Sequence, residues 1–277
     1  MESPLNTMMV IAGFFLSWLG VWGVIAIPLS QKFGWRPFQP TPPEQKLALL
    51  LPLYGIAPLI ITVANRQLGQ TWSDQGLVWT LGSALELLLG WGVAIAGLSL
   101  LLLSKRLLGL ITIPKSETGS SPTPPSPNRL LTVLGLILLG LAIGGIEELV
   151  FRGWLQTQLE LAFLPWVAAI AASILFALAH LIWDGRPGLW QQPGLWLLGM
   201  VLVSARWADG GAIVIAWGLH AGWVTALAYI GEFVRPLPVA DKPTWLTGRV
   251  AQPLTDVLDL TLLMITAGLV WQFSGWI

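Results

Sequence analysis

The stretch LLTVLGLILLGLAIGGIEELVFR, residues 130–152, decides how the rest of the chain is read. From Leu130 to Ile146 it carries no charge, and then Glu147 and Glu148 arrive with Arg152 close behind. A run this long and apolar reads as a helix through a bilayer, which takes roughly 20 such residues. Ionisable side chains inside a bilayer cost about 2.5 to 3.5 kcal/mol each on insertion scales, so they persist where they are paired, hydrated or functional. One stretch therefore implies a membrane fold and marks the place in it where chemistry is to be sought.

Working outward, the chain is 55% hydrophobic and 10% charged, with 17 Trp and a mean hydropathy of +0.74. Soluble domains carry about 25% charged residues. Apolar segments fall at about 8–29, 47–64, 77–103, 130–151, 166–183, 195–207, 212–230 and 257–276. None alternates as a barrel strand would, so the expectation is an all-α polytopic transmembrane bundle of about eight helices. Segment 195–207 is the shortest and is flanked by polar residues. Segment 8–29 has no basic stretch before it and no Ala-x-Ala site after it, and it reads as a retained helix. Cysteine is absent, which excludes disulfides and thiolate chemistry. The formal net charge is zero and no nucleic-acid partner is expected.

The Pro- and Ser-rich run PKSETGSSPTPPSPNR, residues 114–129, reads as a flexible tether. It divides N-terminal helices, 1–113, from a C-terminal helical unit, 130–277. With the N-terminus outside, the loops falling inside carry eleven of the 14 Lys and Arg, leaving Arg66, Arg152 and Arg206. The positive-inside rule then places both termini on the non-cytoplasmic face. No internal repeat is evident, which weakens a transporter reading.

Helix geometry tests whether the charged residues can meet. Glu148 and Arg152 are four apart, with the acid first, the favourable order for an ion pair. Glu147 lies about 100° round the helix from Glu148 and faces elsewhere. The turn Leu164-Pro165 sits between Glu147 and His180 so that both fall at nearly the same depth on antiparallel helices. His220 lies near the middle of segment 212–230. The two histidines are the only ones in the chain, and one carboxylate held by Arg152 leaves the other available to face them.

These residues resemble a known family. Glu147 to Arg152 fits E-E-x-x-x-R, Phe176 to His180 fits F-x-x-x-H, and His220 fits the histidine of a third motif. Their order and their placement in apolar segments are similar to those of the CAAX proteases and bacteriocin-processing enzymes, which include the type II CAAX prenyl endopeptidases. The resemblance covers about residues 130–230. It implies an eight-helix bundle around a water-accessible cavity and an intramembrane, glutamate-dependent endopeptidase acting on a membrane protein or lipid-associated peptide, and it suggests the bacterial inner membrane. By the same resemblance Glu147 activates water, with Glu148, Arg152, His180 and His220 completing the catalytic set. A carboxylate withdrawn from water is a useful base. Zn²⁺ on Glu147, His180 and His220 and a metal-free route use the same atoms. H-E-x-x-H is absent.

The chain departs from the family's pattern at Val224, where Asn or Asp is usual four residues after the third motif's histidine. Val donates no hydrogen bond, so Thr225, a backbone amide or water would have to substitute, or turnover falls. Asp184 reads as a helix cap, or else as a carboxylate that orients His180. Glu86 sits in an apolar segment as a lesser candidate for lining the cavity, and Arg206 and Asp209 read as interfacial. Two other readings stay open: a catalytically impaired relative serving as membrane scaffold or immunity factor, and a proton-coupled transporter.

Overall fold

The structure is a computed structural model that describes residues 3–114, 128–249 and 252–273. The tether expected at 114–129 lies outside them except at its ends. Proline and glycine set the first boundaries. Helix α1 (Pro4–Phe33) and helix α2 (Pro43–Leu68) start on Pro, whose missing N–H costs nothing at that position. They stop at Gly34 and Gly69, both left-handed, with φ of 64° and 65°. Helix α3 (Ser83–Leu107) begins later than the apolar run suggests. Gly76, at φ 73°, instead turns the chain so that its carbonyl accepts from Ile213 N at 2.9 Å.

The decisive stretch forms α4 (Arg129–Glu148), capped by the Asn128 side chain on Leu130 N. It continues without a break through a π-helical segment (Leu149–Leu155) into α5 (Gln156–Ala162), a rod of 34 residues. Helix α6 (Pro165–Asp184) returns after the Leu164-Pro165 turn, as the sequence implies. Then follow α7 (Gln192–Ala208), α8 (Val214–Tyr229), the short α9 (Thr244–Thr247) and α10 (Val257–Phe273). Strands β1 (Ile111–Thr112) and β2 (Leu237–Pro238) pair antiparallel. The protein is an all-α polytopic bundle. Each of the eight apolar segments is helical, but six helices among the described residues are long and apolar enough to cross a bilayer. Helices α7 and α10, at 17 residues each, are shorter than that.

Helix α8 is the inner helix, with 61% of its spanning stretch buried against 11% in α3. Glycine makes this burial attainable. A Cβ on Gly144 of α4 would stand 2.7 Å from Ala221 N, and one on Gly218 would stand 2.3 Å from Leu87 O. Small residues let helix backbones approach where lipid offers no hydrophobic drive to bring them together. Two Gly-x-x-x-Gly pairs, Gly140 with Gly144 and Gly218 with Gly222, thus wedge α8 between α4 and α3. Lys105 of α3 bonds Asp256 at 2.6 Å and Asp259 at 2.5 Å, which fastens α10 to the same end.

The α1–α2 hairpin is attached more sparingly. Its indoles hold it together: Trp18 Nε1 donates to Leu53 O at 2.8 Å and Trp22 Nε1 to Leu49 O at 2.9 Å. Its connecting loop crosses the end of α6, where Phe38 N donates to Ile182 O (2.9 Å) and Thr41 N to Trp183 O (3.1 Å). Lys46 adds an ion pair to Asp184 at 3.1 Å.

Candidate active site at the intramembrane carboxylates

The ion pair inferred from the spacing of Glu148 and Arg152 is present. Arg152 Nη1 donates to Glu148 Oε1 at 3.2 Å, and neither side chain is more than 1% exposed. Arg152 stands in the π-helical segment, where Gly153 admits the Gln75 carbonyl to within 3.0 Å of where a Cβ would be. The guanidinium lies 4.2 Å from the centre of the Phe176 ring, so α6 supplies a second neutralising surface. The same ring meets His180 and His220 edge-on at 4.7 and 5.8 Å. Phe176 is therefore the packing hub that holds both imidazoles and the arginine in one layer.

His220 joins the two carboxylates. Its Nδ1 lies 2.8 Å from Glu148 Oε1, and its Nε2 lies 3.5 Å from Glu147 Oε2. An ionised Glu148 can only accept, so Nδ1 carries the hydrogen and Nε2 faces Glu147. His180 Nδ1 lies 2.9 Å from the Phe176 carbonyl, which likewise fixes the hydrogen on Nδ1 and leaves a lone pair on Nε2 in the neutral ring. Glu147 receives a hydrogen bond on Oε1 from the Tyr54 hydroxyl of α2. Its Oε2 is buried, with His220 Nε2 at 3.5 Å and no hydrogen bond from the protein.

Glu147, His180 and His220 line a cavity of about 330 Å³. Its walls are Phe15, Trp18 and Trp22 of α1, Tyr54 of α2, Trp183 of α6 and Val224 of α8, and Lys46 also borders it. Glu148 and Arg152 do not line it. They stand behind the wall and grip His220 from the rear, while Glu147 faces the space in front. The five residues singled out from the sequence thus come together, and two of them act at one remove.

Several lesser expectations change. Asp184 neither orients His180 nor caps its own helix; its carboxylate takes Lys46 from across the mouth of the cavity. Thr225 cannot stand in for the missing donor at Val224, because its hydroxyl lies against Gly140 in the α4–α8 contact and outside the cavity lining. Glu86 is not among the lining residues. Arg206 is buried rather than interfacial and bonds Thr157, Glu160 and the Gly211 carbonyl. Tyr54 was not singled out from the sequence. The signal was one of only two tyrosines in the chain, placed in an apolar segment where a hydroxyl needs a partner.

Among the described residues, no three His, Asp or Glu side chains are arranged to hold a metal ion together. The Tyr54 hydroxyl bonds Oε1 of Glu147 and acceptors hold Nδ1 of both imidazoles, an arrangement that leaves Oε2 and the two Nε2 atoms without hydrogen-bond partners. As placed, Glu147, His180 and His220 do not form a metal-binding group.

Compared with models of protein families, residues 129–226 match the one described as type II CAAX prenyl endopeptidase Rce1-like. Compared with curated proteins, the chain matches none. The matched region runs from the start of α4 into the last turn of α8 and holds Glu147, Glu148, Arg152, His180 and His220, while Tyr54 and the α1–α2 wall lie outside it.

Proposed function

We propose that this integral membrane protein is an endopeptidase in which Glu147 is the general base, a reading supported by the match of residues 129–226 to an Rce1-like family model. The observation that carries the reading is the convergence of Tyr54, His180 and His220 around Glu147 at an apolar cavity. A peptide bond enters that cavity carried by a hydrophobic, membrane-associated segment. Oε2 of Glu147 takes a proton from water as the water oxygen attacks the carbonyl carbon. The C–N bond then breaks and the proton on Glu147 passes to the leaving amine. His220 keeps Nε2 beside Glu147 because the Glu148–Arg152 pair fixes its other nitrogen. His180 presents its Nε2 lone pair as an acceptor for the attacking water.

The Lys46 end of the cavity lies where α1 gives way to α2, one of the basic connections. Under the positive-inside rule that face is cytoplasmic and both termini are on the other side, and the family resemblance supports the bacterial inner membrane as the membrane. The test is hydrolysis of a hydrophobic peptide library by purified protein in lipid nanodiscs. Wild type is expected to cleave, and Glu147→Ala and His180→Ala to lose about 10² to 10⁴ in kcat. Unchanged turnover in Glu147→Ala, or no cleavage by wild type, overturns the reading.

A further inference from the structure

Amide hydrolysis places negative charge on the carbonyl oxygen, and a donor must meet it. Three side chains around Glu147 are in range to do so, and two are compromised. His180 has its hydrogen on Nδ1, held by the Phe176 carbonyl. His220 has its hydrogen on Nδ1, held by Glu148. In the tautomers these bonds select, Nε2 of each ring carries a lone pair rather than a hydrogen, that of His220 lying 3.5 Å from Glu147 Oε2. Val224, one helical turn beyond His220 on the same face of α8, lines the cavity and has nothing to donate. The third side chain is Tyr54, whose O–H points at Glu147 from the opposite wall.

We propose that Tyr54 is a catalytic residue of this site, supplying the hydrogen bond to the oxyanion. This rests on the endopeptidase reading above. In the resting enzyme the Tyr54 hydroxyl donates to the Glu147 carboxylate. When Glu147 takes the proton from water it becomes a poor acceptor, and at that moment the carbonyl oxygen becomes a strong one. Rotation of the hydroxyl about its C–O bond transfers the hydrogen bond from one to the other. When the leaving amine takes the proton from Glu147, the carboxylate returns and the hydroxyl goes back to it. No proton leaves Tyr54 in the cycle.

Tyr54 is placed by its neighbours within the α1–α2 hairpin. The indoles of Trp18 and Trp22 hold the carbonyls of Leu53 and Leu49, in the turn of α2 that leads into it. Pro58, four residues on, has no N–H to give the Tyr54 carbonyl, so the helix ladder is interrupted at this residue.

Tyr54→Phe keeps the ring and removes the donor. Its kcat is expected to fall about 100-fold with KM within a few-fold of wild type. Affinity for a phosphinate peptide, which bears a tetrahedral anionic oxygen, falls in parallel, while affinity for the uncleaved peptide in a Glu147→Gln background does not. Val224→Asn places an amide donor on the facing wall and is expected to restore at least tenfold in the Tyr54→Phe protein. If Tyr54 only braced Glu147, neither the phosphinate loss nor the rescue would occur, and that result overturns the proposal. Wild-type turnover in Tyr54→Phe overturns it while leaving Glu147 as base. An inert wild type removes both.

Discussion

Helices α1 and α8 both carry several glycines in apolar sequence, and they use them in opposite ways. A Cβ added at Gly13, Gly20 or Gly23 of α1 meets nothing within 4 Å, whereas at Gly218 and Gly222 of α8 it meets the carbonyls of Leu87 and Trp91 at 2.3 and 2.6 Å. The difference separates a platform from a wall. Helix α8 is held by backbone against backbone on two sides, so His220 has no freedom to shift relative to Glu147 and Glu148. Helix α1 stands against lipid; its indoles bond α2, and it meets the rest through Phe14 stacked on Trp154 and through the loop that crosses the end of α6. The proposed endopeptidase, which would admit a polypeptide from the bilayer, needs both: fixed acid-base groups on one side and a boundary that can yield on the other.

The sharpest way to break this contrast is to put bulk on each helix. Gly222→Leu is expected to cost about 3 kcal/mol or more through overpacking, and to lower the thermal midpoint of the purified protein and abolish turnover. Gly20→Leu, with open space around it, is expected to leave both within error. Equal midpoints for the two variants would show that α8 is not the fixed member. A smaller effect sharpens the wall: Trp22→Phe loses the bond to the Leu49 carbonyl, worth about 1 kcal/mol. The expected readout is faster deuterium exchange in the α1–α2 hairpin with α8 unaffected.

The smallest effect concerns the start of α8, where Asp209 accepts from Ile215 N at 3.2 Å. Burial pushes its carboxyl up to about 6, with nearby Glu86 acting in the same direction and the Ile215 bond opposing them. The folded state therefore binds a proton that the unfolded chain gives up at lower pH. Stability falls as pH rises from the ordinary carboxylate range through about 6 and is level above it. Asp209→Asn retains an acceptor for Ile215 and is expected to flatten that part of a midpoint-against-pH curve. A curve with the wild-type slope would remove Asp209 from the explanation.

Much of this was legible in the sequence because it depends on local periodicity. Apolar runs of bilayer length gave the helices, the four-residue spacing gave the Glu148–Arg152 pair, and the offset of one residue put Glu147 on a different face. The common depth of Glu147 and His180 followed from counting outward from Pro165, and that of His220 from its place near the middle of its own segment. What was hidden depends on contacts between distant segments. The bond from Tyr54 to Glu147 joins residues 93 apart, and nothing near either position announces it. The second engagement of His220, with Glu148 as well as Glu147, needs the rotation of α8 that its glycines permit. The π-helical segment follows from the approach of Gln75 to Gly153, which no helix propensity records. Arg206 had the composition of a membrane-edge residue and proved to be a buried tie between α5 and α7.

The loop between α1 and α2 has a consequence for how the protein is made. The last carbonyls of a helix have no partners within it, and in α6 those of Ile182 and Trp183 are taken by Phe38 and Thr41. Synthesis proceeds from the N-terminus, so the first hairpin is in the membrane long before α6 exists, and it waits there as an unfinished enclosure. The arrival of α6 closes the enclosure and completes its own end in the same event. His180, one turn from that end, comes into register with Glu147 only then, and Glu147, His180 and His220 do not face one another until a late stage of biogenesis.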